Sequence, residues 1–337
     1  MNCTVHSMHH PADVNVFLDA WGLSRPRVVA KADGGYQNTT LFVSCADGEF
    51  VLRLYSNVVD PAHQRFEHEL LRKLDSAGLA FAVPRPLPSE DGDTLRVIDG
   101  RLAVLFDRIP GEIVAKDGGL YLVGAAAALA HLDTALAGLQ GFTHRPPTFN
   151  GELTRVHPLA DDLDEAVRQS GLEPGRQKAL RRELDRTVEI APLLYASLPQ
   201  QVTHGDFAFG NTLVRAGRIA GLLDFEHSGI DVRPMDLAVA LYRFPAHDDA
   251  LGQSDAFGRA YSSVLPLDPA EIVALPALLE LRAGLSLMHW VGRLNAGLAT
   301  IDDVRPRADR ALFTYEWVRA NGERLAHQAI GWIGERV

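Results

Sequence analysis

One short stretch of the chain holds residues whose types and spacing suit phosphoryl transfer. Residues 202–225 read VTHGDFAFGNTLVRAGRIAGLLDF. They contain His204-Gly205-Asp206, then Asn211 five residues after the aspartate, then Asp224-Phe225 eighteen residues after it. Moving a phosphoryl group from a nucleotide is mainly a matter of positioning and charge stabilisation. It needs a carboxylate that orients the attacking hydroxyl and accepts its proton, together with oxygen ligands for Mg²⁺. Asp206 and Asn211 sit on one loop, and a hairpin at Ala216-Gly217 returns Asp224 to it. His-Gly-Asp or Asp-Phe alone is an ordinary turn. The combination carries the inference.

The elements that must position these groups read as a small β-rich part followed by a large helical one. Residues 11–22 carry Val14, Phe17, Leu18 and Trp21 at helical spacing. Two β-type runs, 40–45 and 50–55, flank the turn Ala46-Asp47-Gly48. Pro61 opens a helix whose Phe66, Leu70, Leu71 and Leu74 share a face, with Gly78 at its C-terminal end. Runs 94–98 and 101–106 flank Asp99-Gly100. The composition shifts near Pro110-Gly111, after which helical periodicity covers 118–138, 158–170, 174–196, 234–244, 250–264, 269–298 and 304–333. The expected class is therefore α+β. An antiparallel β lobe with one helix spans 1–108, and a mainly helical lobe spans 109–337.

The motif resembles that of the aminoglycoside phosphotransferase and choline kinase superfamily, which includes the type II homoserine kinases. The resemblance extends over most of the chain and implies a two-lobed, protein-kinase-like fold that uses ATP and Mg²⁺. It implies Asp206 as catalytic base and Asn211 and Asp224 as Mg²⁺ ligands, with His204 shaping the catalytic loop. The run Gly35-x-x-Asn38-Thr39 resembles the phosphate loop of homoserine-kinase-like enzymes, where glycine lets backbone amides approach phosphate. By itself it reads as a glycine-bearing turn. Arg53 stands where many kinases carry a phosphate-binding lysine, and alternation points it away from its apolar neighbours. Glu69 is expected to hold that cation, with Glu67 as the alternative. Phe106, Asp107 and Arg108 resemble the adenine-binding hinge. Asp236 resembles the residue that braces the catalytic loop, and Asp133 replaces a common histidine. On the acceptor side, Glu226 and Asp231 could meet an amine, and Arg282 or Arg293 could pair with an amino-acid carboxylate.

These features favour a small-molecule O-kinase. A homoserine-like amino alcohol is the expected acceptor, with aminoglycosides or amino sugars as the alternative. A protein kinase is disfavoured, because residues 225–235 leave little room between Asp224 and Asp236 for a peptide-docking segment. A silent nucleotide-binding module is disfavoured by the presence of all three polar groups. The net charge of −10 argues against nucleic acid as partner. The two cysteines, Cys3 and Cys45, fit a reducing cytoplasm. The apolar run 120–139 contains His131 and Asp133 and reads as a core helix, leaving no expected membrane partner.

Overall fold

The computed structural model describes residues 11–32, 38–55, 61–98, 100–139, 141–142 and 151–333. The chain divides into two compact units, Met1–Gly111 with Ala220–Glu226, and Glu112–Ile219 with His227–Val337. The first unit takes in 220–226, which the sequence alone assigns to the helical lobe.

The first unit is built on an antiparallel sheet. Its strands are β1 (Val28–Lys31), β2 (Asn38–Cys45), β3 (Gly48–Tyr55), β4 (Arg96–Ile98) and β5 (Arg101–Asp107), in the order β1-β2-β3-β5-β4. Alternation sorts side chains to the two faces. Leu41, Val43, Leu52, Leu54 and Leu105 pack with Val14, Phe17 and Leu18 of helix α1 (Pro11–Asp19). Leu18 and Leu52 are fully buried, and each such side chain contributes about 1.5–3 kcal/mol. Arg53 is out of phase with these residues. Its guanidinium lies 5.8 Å from the ring centre of Phe106. Helix α2 (Pro61–Asp75) brings His68 edge-on to the same ring, at 6.1 Å. Strand β1 has no counterpart in the sequence reading. All four of its side chains are exposed, so no burial rhythm marks it.

The second unit is mainly helical. Its helices are α3 (Leu122–Ala137), α4 (Leu163–Arg168), α5 (Pro174–Ser197), α6 (Met235–Leu241), α7 (Ala250–Ser262), α8 (Pro269–Asn295) and α9 (Ile301–Ile330). Helix α4 is shorter than the 158–170 periodicity suggests. The Asp162 carboxylate accepts from the Asp164 and Glu165 amides at 2.7 and 3.1 Å, which fixes the helix start there. Helix α8 starts in a capping box formed by Asp268 and Glu271 and packs along α9. Gly119–Ala137 and α8 are long and apolar enough to cross a membrane by length and composition. In α8, however, Ile272, Leu275, Leu278, Leu281 and Leu285 are all buried within the protein, as in a core helix.

Short strands thread this helical unit. Strand β7 (Gln200–Thr203) pairs antiparallel with β10 (Gly229–Val232), and β6 (Glu112–Ile113) pairs antiparallel with β8 (Thr212–Arg215). Strand β8 turns through Ala216 and Gly217, at φ of 50° and 76°, into β9 (Arg218–Leu222). The 204–211 loop thus leaves one short strand and enters another.

Candidate active site

The loop 204–211 is pinned at both its backbone and its side chains. Amides of His204 and Gly205 donate to the two oxygens of Asp236, at 2.6 and 2.7 Å. His204, almost fully buried, accepts the Asp206 amide on Nδ1 at 3.2 Å. This contact ties the His204 ring to the loop backbone. Gly205 adopts φ +82°, and a Cβ there would lie 2.4 Å from the His227 carbonyl oxygen. Only glycine fits between histidine and aspartate. Asn211 donates through Nδ2 to the Asp206 carbonyl at 3.1 Å, which leaves its amide oxygen as the atom able to bind a cation. Phe207 and Phe209 anchor the loop from below, 5.8 Å from Phe257 and 6.2 Å from Phe244 between ring centres. The sequence reading did not single out these two rings. Their signal is the alternation Asp206-Phe207-Ala208-Phe209, with every second side chain aromatic.

Two arginines govern the charge of Asp206. Arg282 of α8 reaches its Oδ1 at 2.7 Å, and Arg243 reaches the same oxygen at 3.7 Å. Burial pushes the carboxyl pKa up, but Arg282, His227, Arg243 and His204 outweigh it and hold Asp206 well below the usual carboxylate range. Arg282 therefore stands at the candidate base. Arg243 was not anticipated, although a single arginine inside the apolar run 237–244 signals a buried pair. It also donates to the Phe207 carbonyl at 3.2 Å.

Further imidazoles adjoin this charge. The His289 ring centre lies 6.0 Å from that of His227 and 6.1 Å from that of His157. Burial drives His289 down to about 3, and His227, Arg293, His157 and Arg282 push the same way. His289 is thus neutral at physiological pH.

The first unit holds a second charged group. Arg53 lies 3.4 Å from the Asp224 carboxylate. Burial opposes its charge, yet Asp224, Tyr55, Glu226 and Glu67 together keep its pKa above the ordinary arginine value. Asp224 has φ 71°, a left-handed conformation that aspartate tolerates better than most residues and that recurs at functional sites.

The assignment of Glu69 to Arg53 is corrected here. Glu69 is exposed and pairs with Lys73 at 3.7 Å, one turn further along the solvent side of α2. Glu67 is buried on the other side with Leu70, Leu71 and Leu74. Burial raises its pKa to about 8, against the opposing pull of Arg53.

Other expected acceptor residues have structural partners. Glu226 accepts from Asn38 Nδ2 at 2.7 Å, and its carbonyl oxygen lies 2.6 Å from His63 Nε2. Asp231 is almost fully buried, where it accepts from the Tyr195 hydroxyl and from the Val232 amide at 2.7 Å. Arg293 caps the end of α8 through the Leu298 carbonyl at 3.3 Å and lies over Trp290. Asp231 and Arg293 are therefore structural, and the reading of them as acceptor ligands is corrected. Gly35 lies outside the described residues.

In the hinge segment Phe106 is buried, and Asp107 pairs with Arg85. Arg108 pairs with Glu49 at 2.6 Å and stacks on Phe42. The amides of Asp107 and Arg108 already donate to Arg85 and Glu49 carbonyls, so what this strand end offers a base is mainly carbonyl oxygen.

Among the described residues no three His, Cys, Asp or Glu cluster as a metal site. In the first unit the Asp224 carboxylate, and in the second the Asn211 amide oxygen, are each able to donate to a cation. Both are hard oxygen ligands, which fit Mg²⁺ rather than a transition metal.

Comparison with known proteins gives the family of the chain. The sequence model of the phosphotransferase enzyme family matches residues 28–274. A homoserine kinase of Acidiphilium cryptum (strain JF-5) is 29% identical over 299 residues, spanning 85% of this chain and 86% of that protein. A homoserine kinase of Gluconacetobacter diazotrophicus is 33% identical over 258 residues, spanning 72% and 74%. The solved structure of amicoumacin kinase hAmiN in complex with AMP-PNP, Ca²⁺ and Ami superposes with a TM-score of 0.65. It is 17% identical and covers 92% of this chain and 94% of its own. The chain belongs to the phosphotransferase enzyme family and is a small-molecule kinase with the protein-kinase-like fold of the aminoglycoside phosphotransferases.

Proposed function

We propose that this kinase transfers the γ-phosphoryl group of Mg²⁺-ATP to the hydroxyl of a small, amine-bearing amino alcohol of the homoserine type. The observation that carries the acceptor class is the cationic surround of Asp206, formed by Arg282 and Arg243 with His227 beside them. An acceptor whose hydroxyl approaches Asp206 meets guanidinium groups that pair with carboxylate and repel polycations. An aminoglycoside site needs acidic side chains, and the two candidates, Glu226 and Asp231, are engaged by Asn38 and by Tyr195. The homoserine kinases among the relatives support the same class.

In this reading Asp206 orients the hydroxyl and accepts its proton as the new O–P bond forms. Its depressed pKa makes it a weak base, so orientation is its larger contribution. Asn211 and Asp224 would hold Mg²⁺, which would supply charge neutralisation for the phosphates. Arg53 meets the α- and β-phosphates, and Glu67 restrains Arg53. The 106–108 segment receives adenine through its backbone. The AMP-PNP and Ca²⁺ in the structural relative support a nucleotide and a divalent cation at this fold. The free thiol of Cys45 is in keeping with a reducing cytoplasm.

ADP release measured across homoserine, other hydroxylated amino acids, choline and aminoglycosides tests the acceptor. Turnover is expected with hydroxylated amino acids, and activity confined to aminoglycosides would replace that assignment. Asp206→Asn is expected to keep Mg²⁺-ATP affinity and lose at least about a hundredfold in turnover. Turnover within a few-fold of wild type would remove Asp206 as base.

A further inference from the structure

Beneath the catalytic loop two carboxyl groups meet in a fully buried setting. Asp133 of α3 and Asp236 of α6 are both inaccessible to solvent. Both Asp236 oxygens already accept backbone amides, those of His204 and Gly205. Asp133 accepts the Tyr261 hydroxyl of α7 on Oδ2 at 2.6 Å, and its carbonyl oxygen accepts Gln201 Nε2 of β7 at 3.0 Å. Its other carboxyl oxygen, Oδ1, is buried, and no N–H or O–H of the described residues donates to it. The Asp236 carboxyl acts on the Asp133 side chain as well, and its charge favours the neutral form of Asp133.

Two carboxylates can hydrogen-bond only if one carries a proton. Arg233, whose charge acts on Asp133, is committed to Glu271 through a fork whose Nε contact is 2.6 Å. Two unpaired buried anions side by side would be strongly unfavourable. Both Asp236 oxygens are taken up as acceptors for amides, whereas Asp133 Oδ1 meets no donor among the described residues, so Oδ1 is the atom with room for a proton.

We propose that Asp133 is a neutral carboxylic acid at physiological pH, and that its Oδ1–H donates to Asp236 and so fixes the acceptor that orients the His204 and Gly205 amides. Asp133 is then a positioning residue. It touches no reacting atom and acts on Asp206 through Asp236 and the loop backbone. The groups facing it are Asp236 from α6, Tyr261 from α7, Arg233 ahead of α6, and Gln201 from β7. Burial and the Asp236 charge both favour its neutral form, and they outweigh the opposing hydrogen bond from Tyr261.

The decisive variant is Asp133→Asn. An asparagine offers the same two functions, an N–H toward Asp236 and a carbonyl oxygen toward Tyr261, without a titrating proton. Wild type must release the Asp133 proton on unfolding at any pH above the unfolded aspartate value of about 3.9. Its folding equilibrium therefore weakens about tenfold per pH unit from there until the folded acid itself ionises, equal to about 1.4 kcal/mol per unit. Asp133→Asn is free of that loss, so its stability relative to wild type is expected to rise about tenfold per pH unit across the window. Turnover of the variant is expected to stay within about twofold of wild type, while Asp133→Ala, which removes the donor, loses about tenfold.

Infrared spectra of protein labelled with ¹³C at aspartate carboxyls should show a protonated-carboxyl stretch at neutral pH in wild type that is missing in Asp133→Asn. The stability and infrared measurements do not depend on the acceptor or on phosphoryl transfer, so they fail or succeed apart from the proposed function. A variant-to-wild-type stability ratio that is flat with pH would overturn the proposal. A stretch that persists in Asp133→Asn, or an Asp133→Asn chain that does not fold, would overturn it equally.

Discussion

Replacing Arg282 with methionine separates two roles that the structure leaves to one side chain. The guanidinium lies 2.7 Å from Asp206 Oδ1, with Arg243 further off at 3.7 Å. Methionine keeps part of the apolar stem and removes the charge. A charge-assisted hydrogen bond contributes about 1.5–3 kcal/mol. With Asp206 about one-quarter exposed at 27% and Arg243 still present, the lower end applies, roughly 1.5 kcal/mol. That corresponds to about one pH unit in the Asp206 pKa and about tenfold in any rate limited by its placement. If Arg282 restrains the base, kcat at neutral pH falls about tenfold and the acid limb of the kcat profile moves up by about one unit. The KM for ATP stays fixed. If Arg282 instead binds the acceptor carboxylate, the acceptor KM rises and the acid limb stays where it was. The sign for folding follows from the same pair. A depressed aspartate pKa contributes stability above the unfolded aspartate value, and that stability is lost as pH falls through the folded one. The variant should therefore be less stable than wild type at neutral pH, with the gap closing in strong acid. Steady-state kinetics across pH and denaturant unfolding at two pH values measure all of this. An unmoved acid limb together with unmoved kcat and acceptor KM would refute both roles.

Three further substitutions test the rest of the site. In the proposed reading Glu67 is the carboxyl left to Arg53 once Asp224 turns to the metal, so above pH 8, where Glu67 is ionised, Glu67→Gln is expected to raise the KM for ATP severalfold. Its pKa of about 8 keeps it largely protonated at pH 7, so the variant should gain stability on wild type as pH climbs from the unfolded glutamate value toward 8. Glu69→Gln should change stability by no more than the ~0.5 kcal/mol of an exposed i,i+4 pair and leave the KM alone; a larger kinetic effect at 69 than at 67 would reverse the correction made above. Gly205→Ala should cost at least about 2 kcal/mol, from the left-handed conformation and the approach to the His227 carbonyl. Urea unfolding within ~0.5 kcal/mol of wild type would show that the loop can relax.

The loop 204–211 was legible in the sequence because its chemistry is local. His204, Asp206 and Asn211 interact mainly with one another's backbone within a few residues, so spacing alone preserves their relation. The sheet was legible for the same reason, since β2 and β3 are joined by a two-residue turn whose register follows from the hairpin. Helix α2 shows where a motif can mislead. Matching a family glutamate selects Glu69, yet counting along the helix selects Glu67, which precedes Leu70, Leu71 and Leu74 by three, four and seven residues. The periodicity was present in the sequence and pointed to the buried side.

Long-range neutralisation was not legible. Arg282 and Arg293 lie on one helix eleven residues apart and look equivalent along the chain. One ends on Asp206 and the other on the carbonyl of Leu298, because only the packing of α8 against α6 and the helix end decides which carboxylate or carbonyl each can reach. Asp133 carries the same lesson further. A charged residue in the apolar run 125–136 looks like a flaw in a core helix. Once Asp236 and Tyr261 are placed around it and Arg233 is seen paired with Glu271, its surroundings become an argument about protonation. What a sequence cannot reveal for a buried acid is its set of partners, and those partners decide whether the acid is an anion, an acid or a base. At this site Asp206 has two arginines and Asp133 has another carboxylate. In the proposed reading one type of side chain thus serves as a charged reactive group at the loop and as a neutral brace beneath it.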